Sequence, residues 1–181
     1  MRGQYPGIRS SETGGHILPP SFHGFTIIEL IIVIAILGIT AAVAIPIIRG
    51  GLARTQMMDA TEKITTACTI ARARAIANPR LRCGVFLDKS NKGVLVFFDS
   101  NNNSAYSAGA DEIFRPLEKF SKGITFYAVT GDTIDNNAVL FKGDGSAIDG
   151  GRFGIQTSAP VKKKVFAVTK LTGAITIAAG S

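Results

Sequence analysis

The amino-acid sequence predicts an α+β protein. A long N-terminal helix, membrane-spanning in its first half and amphipathic in its second, packs on a C-terminal antiparallel β domain. Three observations carry this. An unbroken apolar run occupies Phe25 to Ile45. Beyond Pro46, the residues Met57, Ala60, Ile64, Ala67, Cys68, Ala71 and Ala75 recur at intervals of three and four, the spacing of one helical face. From Arg82 onward, short β-prone segments alternate with turns rich in Gly, Asn and Asp.

The composition narrows the function classes. At 181 residues there is room for one ordinary domain and an appended segment. Two cysteines exclude a disulfide-dense scaffold. The two histidines, His16 and His23, both precede residue 25. A chain that loses that segment has no histidine, which excludes a Ser-His-Asp or Cys-His site and a His-ligated metal. No catalytic residues, metal or cofactor are expected. The net charge is +7, and beyond residue 24 the chain keeps 18 basic and 12 acidic residues. Such an excess suits anionic lipid, acidic partners or nucleic acid about equally.

The first element is the apolar run FTIIELIIVIAILGITAAVAI, residues 25–45. As a helix it spans roughly 32 Å at 1.5 Å per residue, enough to cross a bilayer core. It is longer than the apolar region of a secretory signal, and Pro46-Ile47-Ile48-Arg49 supplies no small-residue cleavage site. A retained membrane helix is therefore expected. Glu29 interrupts the run at its fifth position. A carboxylate at mid-membrane costs roughly 2.5–3.5 kcal/mol on insertion scales, less near an end. Its presence points to a positive charge supplied by a partner inside the membrane.

The stretch Gly24-Phe25-Thr26-Ile27-Ile28-Glu29-Leu30, followed by an apolar run, resembles the prepilin signature of type IV pilins and type II secretion pseudopilins. The resemblance implies cleavage by a prepilin peptidase between Gly24 and Phe25, N-methylation of Phe25, and pairing of Glu29 with a neighbouring subunit's N-terminal amine. It also implies a helix kink at Pro46, other pilins or pseudopilins and membrane lipid as partners, and a single-pass bacterial inner-membrane protein with a periplasmic domain. The leader, residues 1–24, departs from the family pattern. It is long, rich in Gly and Pro, and has only His23 near the cut. Orientation thus comes from the resemblance, since Arg2 and Arg9 stand against Arg49 and Arg54 across the run. The implied layout is a leader over 1–24, a membrane or filament-core helix over 25–46, an amphipathic helix over 47–78, and a β-rich domain over 79–181.

The amphipathic stretch ends at Asn78-Pro79, because the residue before proline avoids helical backbone angles. Strands are expected at Cys83–Leu87, Val94–Phe98, Ile113–Leu117, Ile124–Val129, Ala138–Phe141, Phe153–Thr157, Val165–Thr169 and Ala174–Ile177. The helix end Ala71–Ile76, the hairpin at 83–98, the stretch Phe141-Lys142-Gly143-Asp144-Gly145-Ser146 and the closing pattern around Thr172-Gly173 resemble the H-type minor pseudopilin group (GspH/FimT-like). Some members of that group are associated with DNA uptake through arginines after the final glycine. Here that position reads Thr172-Gly173-Ala174-Ile175, so the alternative of a DNA-binding minor pilin rests on Lys162, Lys163, Lys164 and Lys170. Those residues offer only salt-sensitive, nonspecific phosphate contacts.

Two further features stay open on the sequence. Asp99, Asn101 and Asn103 place oxygens at positions one, three and five, as in a calcium loop. The sixth and twelfth positions, Ser104 and Ala110, break the pattern and favour a polar connection. Cys68 lies on the amphipathic face and Cys83 opens the first strand. A disulfide between them and separate burial as small apolar residues are both compatible with their spacing.

Overall fold

The structure is a computed structural model that describes residues 24–131 and 134–180. The leader expectation therefore lies, up to His23, outside the described residues. Helix α1 runs Ile27–Ala77 and is followed by eight strands: β1 (Arg82–Asp88), β2 (Gly93–Asp99), β3 (Glu112–Lys119), β4 (Ile124–Tyr127), β5 (Ala138–Phe141), β6 (Gly151–Thr157), β7 (Lys163–Val168) and β8 (Ile175–Ala179). The fold is α+β, as the sequence predicts, and each expected strand is present. The chain divides into two compact units, one up to Ala41 and one from Ala42 onward.

The first unit contributes the opening turns of α1, whose side chains are exposed throughout. The second contains the rest of α1 and two four-stranded sheets. One sheet has the order β3-β2-β1-β5 and the other β4-β6-β7-β8, with every neighbouring pair antiparallel. The chain does not complete one sheet before starting the next. β4 enters the second sheet, β5 returns to the edge of the first, and the last three strands finish the second.

Within this unit the buried face of α1 is Ala53, Met57, Ala60, Ile64, Ala67, Cys68, Ala71 and Ala75, the expected stripe with one residue added. Alanines make up five of its eight residues. Ile64 and Met57 supply the bulk, meeting Val85, Val96 and Phe141 of the first sheet and Ile124, Ile155 and Phe166 of the second in one cluster. Fully burying a side chain of Ile64's size contributes about 1.5–3 kcal/mol. Phe153 and Phe166 stack in the second sheet at 4.9 Å, nearly parallel.

The first sheet is covered on its other face too, so β2 is buried along its whole length. Leu95, Phe97, Ala138 and Leu140 form a second cluster under Tyr106, which lies 4.9 Å from Phe86 and 5.2 Å from Phe97, ring centre to ring centre. Tyr106 comes from the connection between β2 and β3. Edge strand β3 carries Pro116 within an irregular register between Arg115 and Glu118, which blunts that edge against further pairing.

Gly173, between β7 and β8, is buried with φ +61°. A side chain there would collide with the Gly145 carbonyl oxygen and stand 3.3 Å from the Phe141 ring. The glycine is needed for both its backbone angle and its lack of bulk.

Candidate functional site

Gly24, Phe25 and Thr26 precede α1 in non-helical backbone, and the helix starts at Ile27. Thr26 caps it. Its hydroxyl oxygen accepts the Glu29 amide at 3.3 Å, and its carbonyl accepts the Leu30 amide at 3.2 Å. Thr-x-x-Glu ahead of an apolar run is a capping-box pattern, a signal that a reading of Glu29 as a charge alone passes over. Glu29 stands in the first turn, where the helix dipole favours a carboxylate.

The surroundings of these residues are what the chain's own fold does not explain. Phe25 is 84% exposed, and the large apolar side chains from Ile27 to Ile48 are exposed too. An 18-residue window of α1 passes the length and composition test for a membrane span, with none of it buried by protein. Among the described residues no cation pairs with Glu29. A side chain on Gly24 would meet nothing within 4 Å, so nothing in the described structure requires glycine there. Chemically, this arrangement offers an accessible, non-helical peptide bond followed by a greasy rod bearing one carboxylate. The helix assignment continues through Pro46, whose missing N–H removes one rung of the ladder.

Cys68 and Cys83 occupy the same core cluster as free, buried thiols. Burial pushes the Cys68 thiol up to about 12. Burial likewise raises Cys83 to about 12, against smaller lowering effects from the Gly84 amide and the Arg74 charge.

The oxygens of the calcium-like stretch are engaged by protein. The buried Asp99 carboxylate accepts the amides of Asn103 and Ser104, each at 3.1 Å, with the Arg82 guanidinium at 3.9 Å. The Asn101 side chain accepts the Asn103 amide at 3.1 Å, and the Asn103 side chain accepts the Ala105 amide at 2.9 Å. Across the loop, Asp111 accepts the amides of Ser100 at 3.0 Å and Ser107 at 2.7 Å. These side chains hold the loop that carries Tyr106. Among the described residues no group of three His, Cys, Asp or Glu is placed to hold a metal.

Of the four lysines, Lys162, Lys163 and Lys164 line one groove and Lys170 lies elsewhere. Lys164 donates to the Thr61 hydroxyl at 3.3 Å, and Lys163 lies 5.5 Å from the Tyr127 ring centre. Lys170 pairs with Asp149 at 3.4 Å, away from the other three. In the Phe141–Ser146 stretch, Asp144 is held below the usual carboxylate range by hydrogen bonds from the Ser146 hydroxyl and amide.

Residues 20–45 match the family model of the prokaryotic N-terminal methylation motif. The chain's N-terminal segment is similar to that of fimbrial proteins. It is 48% identical over 50 residues to a fimbrial protein of Pseudomonas aeruginosa, which covers 28% of this chain and 32% of that protein. It is 60% identical over 37 residues to the fimbrial protein EcpC of Eikenella corrodens, covering 20% of this chain and 24% of that one. The matched region thus spans about a third or less of the length of these curated relatives. Among solved structures, the minor pseudopilin EpsH from the type 2 secretion system of Vibrio cholerae aligns with 65% of this chain and 97% of its own, at 11% identity and a TM-score of 0.46.

Proposed function

We propose that this chain is a structural subunit of a pilin-type filament, an H-type minor pseudopilin of a type II secretion system or type IV pilus, with no catalytic role. In this reading a prepilin peptidase cleaves between Gly24 and Phe25, and Phe25 carries the methylated amine. Residues 25–46 hold the subunit in the bacterial inner membrane with the β domain in the periplasm. Assembly with other pilins or pseudopilins then moves α1 from lipid into the filament core, where Pro46 kinks it.

The observation that carries the reading is the non-helical Gly24-Phe25 bond directly ahead of an exposed apolar helix whose first turn holds Glu29. Cleavage there creates an amine beside the apolar helix, and a carboxylate in a neighbouring subunit offers it the opposite charge. Each charge lowers the burial cost of the other, and such pairs specify register more than they add stability. The nucleic-acid alternative is weakened at two of its four lysines, since Lys164 and Lys170 are engaged by Thr61 and Asp149.

The test is the intact mass, with N-terminal fragmentation, of the protein purified from membranes of cells with an active prepilin peptidase. A chain starting at methylated Phe25 is the expected result. One still starting at Met1 overturns the proposal.

A further inference from the structure

Within the unit that begins at Ala42, the start of β7 and the end of β8 lie against α1 and leave a groove of about 440 Å³. Arg54, Lys162, Lys163 and Lys164 line it, and no carboxylate does. Asp59, the nearest acid along α1, is turned to Lys63 at 2.9 Å and to the Ser121 hydroxyl at 3.0 Å. The groove also exposes apolar surface. Met58 is 58% and Ile177 41% exposed, both in its lining.

Its place along α1 gives the charge a meaning. The unbroken run of exposed apolar side chains ends at Ile48, Leu52 and Met58 being exposed singly beyond it, and Arg49 is the first cation after that run. Arg54 follows Ile48 by roughly 9 Å of helix rise and Met58 by roughly 15 Å. A bilayer's polar layer extends roughly 5–8 Å beyond the hydrocarbon core on each side, and its field reaches about a Debye length, ~8 Å, further. The groove therefore falls within reach of the headgroups at which the apolar helix would leave the bilayer. Guanidinium and ammonium groups are the donors that phosphate oxygens accept from.

We infer that this groove docks an anionic phospholipid headgroup, holding the β domain against the membrane surface while the subunit is stored there. The inference rests on the proposed membrane span. Lys163 and Lys164 already have contacts within the protein. The lipid is accordingly recognised through Arg54 and Lys162 first, with the other two adding to the field.

The experiment uses the full chain in nanodiscs of phosphatidylcholine alone or with 30% phosphatidylglycerol, and reads the acetylation rate of each lysine by mass spectrometry. Co-purification with discs of both compositions reports the membrane span independently, and its failure would sink that reading instead. Given insertion, Lys162, Lys163 and Lys164 should react at least about three-fold more slowly in the anionic discs, with Lys89 and Lys142 unchanged. The protection should be lost in 0.5 M salt and in the Arg54→Gln/Lys162→Gln chain, whose two altered side chains are exposed. Equal rates in the two lipids would overturn the inference. So would protection by a short DNA duplex in phosphatidylcholine discs that anionic lipid does not reproduce, which would assign the groove to nucleic acid.

Discussion

Replacing Gly173 by alanine separates two costs that the structure assigns to one position. Its φ of +61° lies in the left-handed region, where a Cβ costs about 1–2 kcal/mol. The new Cβ also meets the Gly145 carbonyl oxygen and the Phe141 ring. That carbonyl cannot easily retreat. It accepts the Arg72 side chain at 2.9 Å, and the Ala147 amide nearby is bonded to the Lys170 carbonyl at 3.0 Å. Forcing a methyl into such a site adds about 1–3 kcal/mol, for a total of roughly 2–5 kcal/mol. Gly109 is the internal control, with φ +85° and nothing within 4 Å of its would-be Cβ. Gly109→Ala should therefore cost only the backbone term. For a unit of this size each kcal/mol lowers the melting temperature by roughly 3–5 °C. The assay is thermal unfolding in detergent, followed by near-ultraviolet circular dichroism. Gly109→Ala should melt roughly 3–10 °C below the parent and Gly173→Ala further still. Equal melting temperatures for the two variants would refute the steric part of the reasoning, and no change in either would refute both parts.

Four other outcomes follow from groups inside the β-rich unit. With the Cys68 and Cys83 thiols raised to about 12, the thiolate fraction at pH 8 is about 10⁻⁴. Ellman's reagent should leave the native chain unmodified and titrate both thiols in denaturant; rapid native reaction would contradict their burial. The sign of the pH effect follows from the same shift. Between about pH 9, where unfolded thiols ionise, and pH 12, the folded state holds more protons, so this contribution is whole below pH 9 and lost as pH rises through 12. A Cys68→Ala chain should then lose less stability than the parent between pH 9 and 11 in urea melts. Asp99→Ala leaves the amides of Asn103 and Ser104 without the buried carboxylate and should cost about 1–3 kcal/mol. Millimolar calcium should not change the parent's melting temperature, and a calcium-dependent rise would reinstate a cation in that loop.

What was legible in the sequence was what local physics dictates. Met57, Ala60, Ile64, Ala67, Cys68, Ala71 and Ala75 could be read as one face because the helical period repeats within seven residues, and all are buried. The eight strands could be read because turn residues bound each of them. Their allocation to two sheets could not. β5 pairs with β1 through Cys83↔Phe141 and Val85↔Val139, a choice made by packing between segments over fifty residues apart, not by either segment's own pattern. Asp99, Asn101 and Asn103 stayed ambiguous for a related reason. Oxygens spaced to hold a cation are also spaced to accept backbone N–H groups, and only the folded loop distinguishes the two uses. Thr26 was legible too, since a threonine three residues before a glutamate at the head of an apolar run is a local capping pattern.

The contrast between two glycines extends this logic to function. Gly173 is glycine because the folded unit demands it, through a positive φ and a neighbouring carbonyl. Gly24 meets no such demand, since a side chain there would touch nothing within 4 Å. Phe25 is exposed where burial would favour it, and Glu29 bears a charge amid apolar residues, with only its first-turn position to recommend it. From Ala53 to Ile177 the identities of buried residues follow from what they touch. From Gly24 to Ile48 they do not, and the surplus has a consistent chemistry: an accessible bond after a small residue, an apolar rod and one acid. Residues that a chain's own fold leaves unexplained are explained by what reads them from outside. Under the proposed function those readers are a peptidase acting on a non-helical segment, a lipid bilayer, and the amine of another subunit.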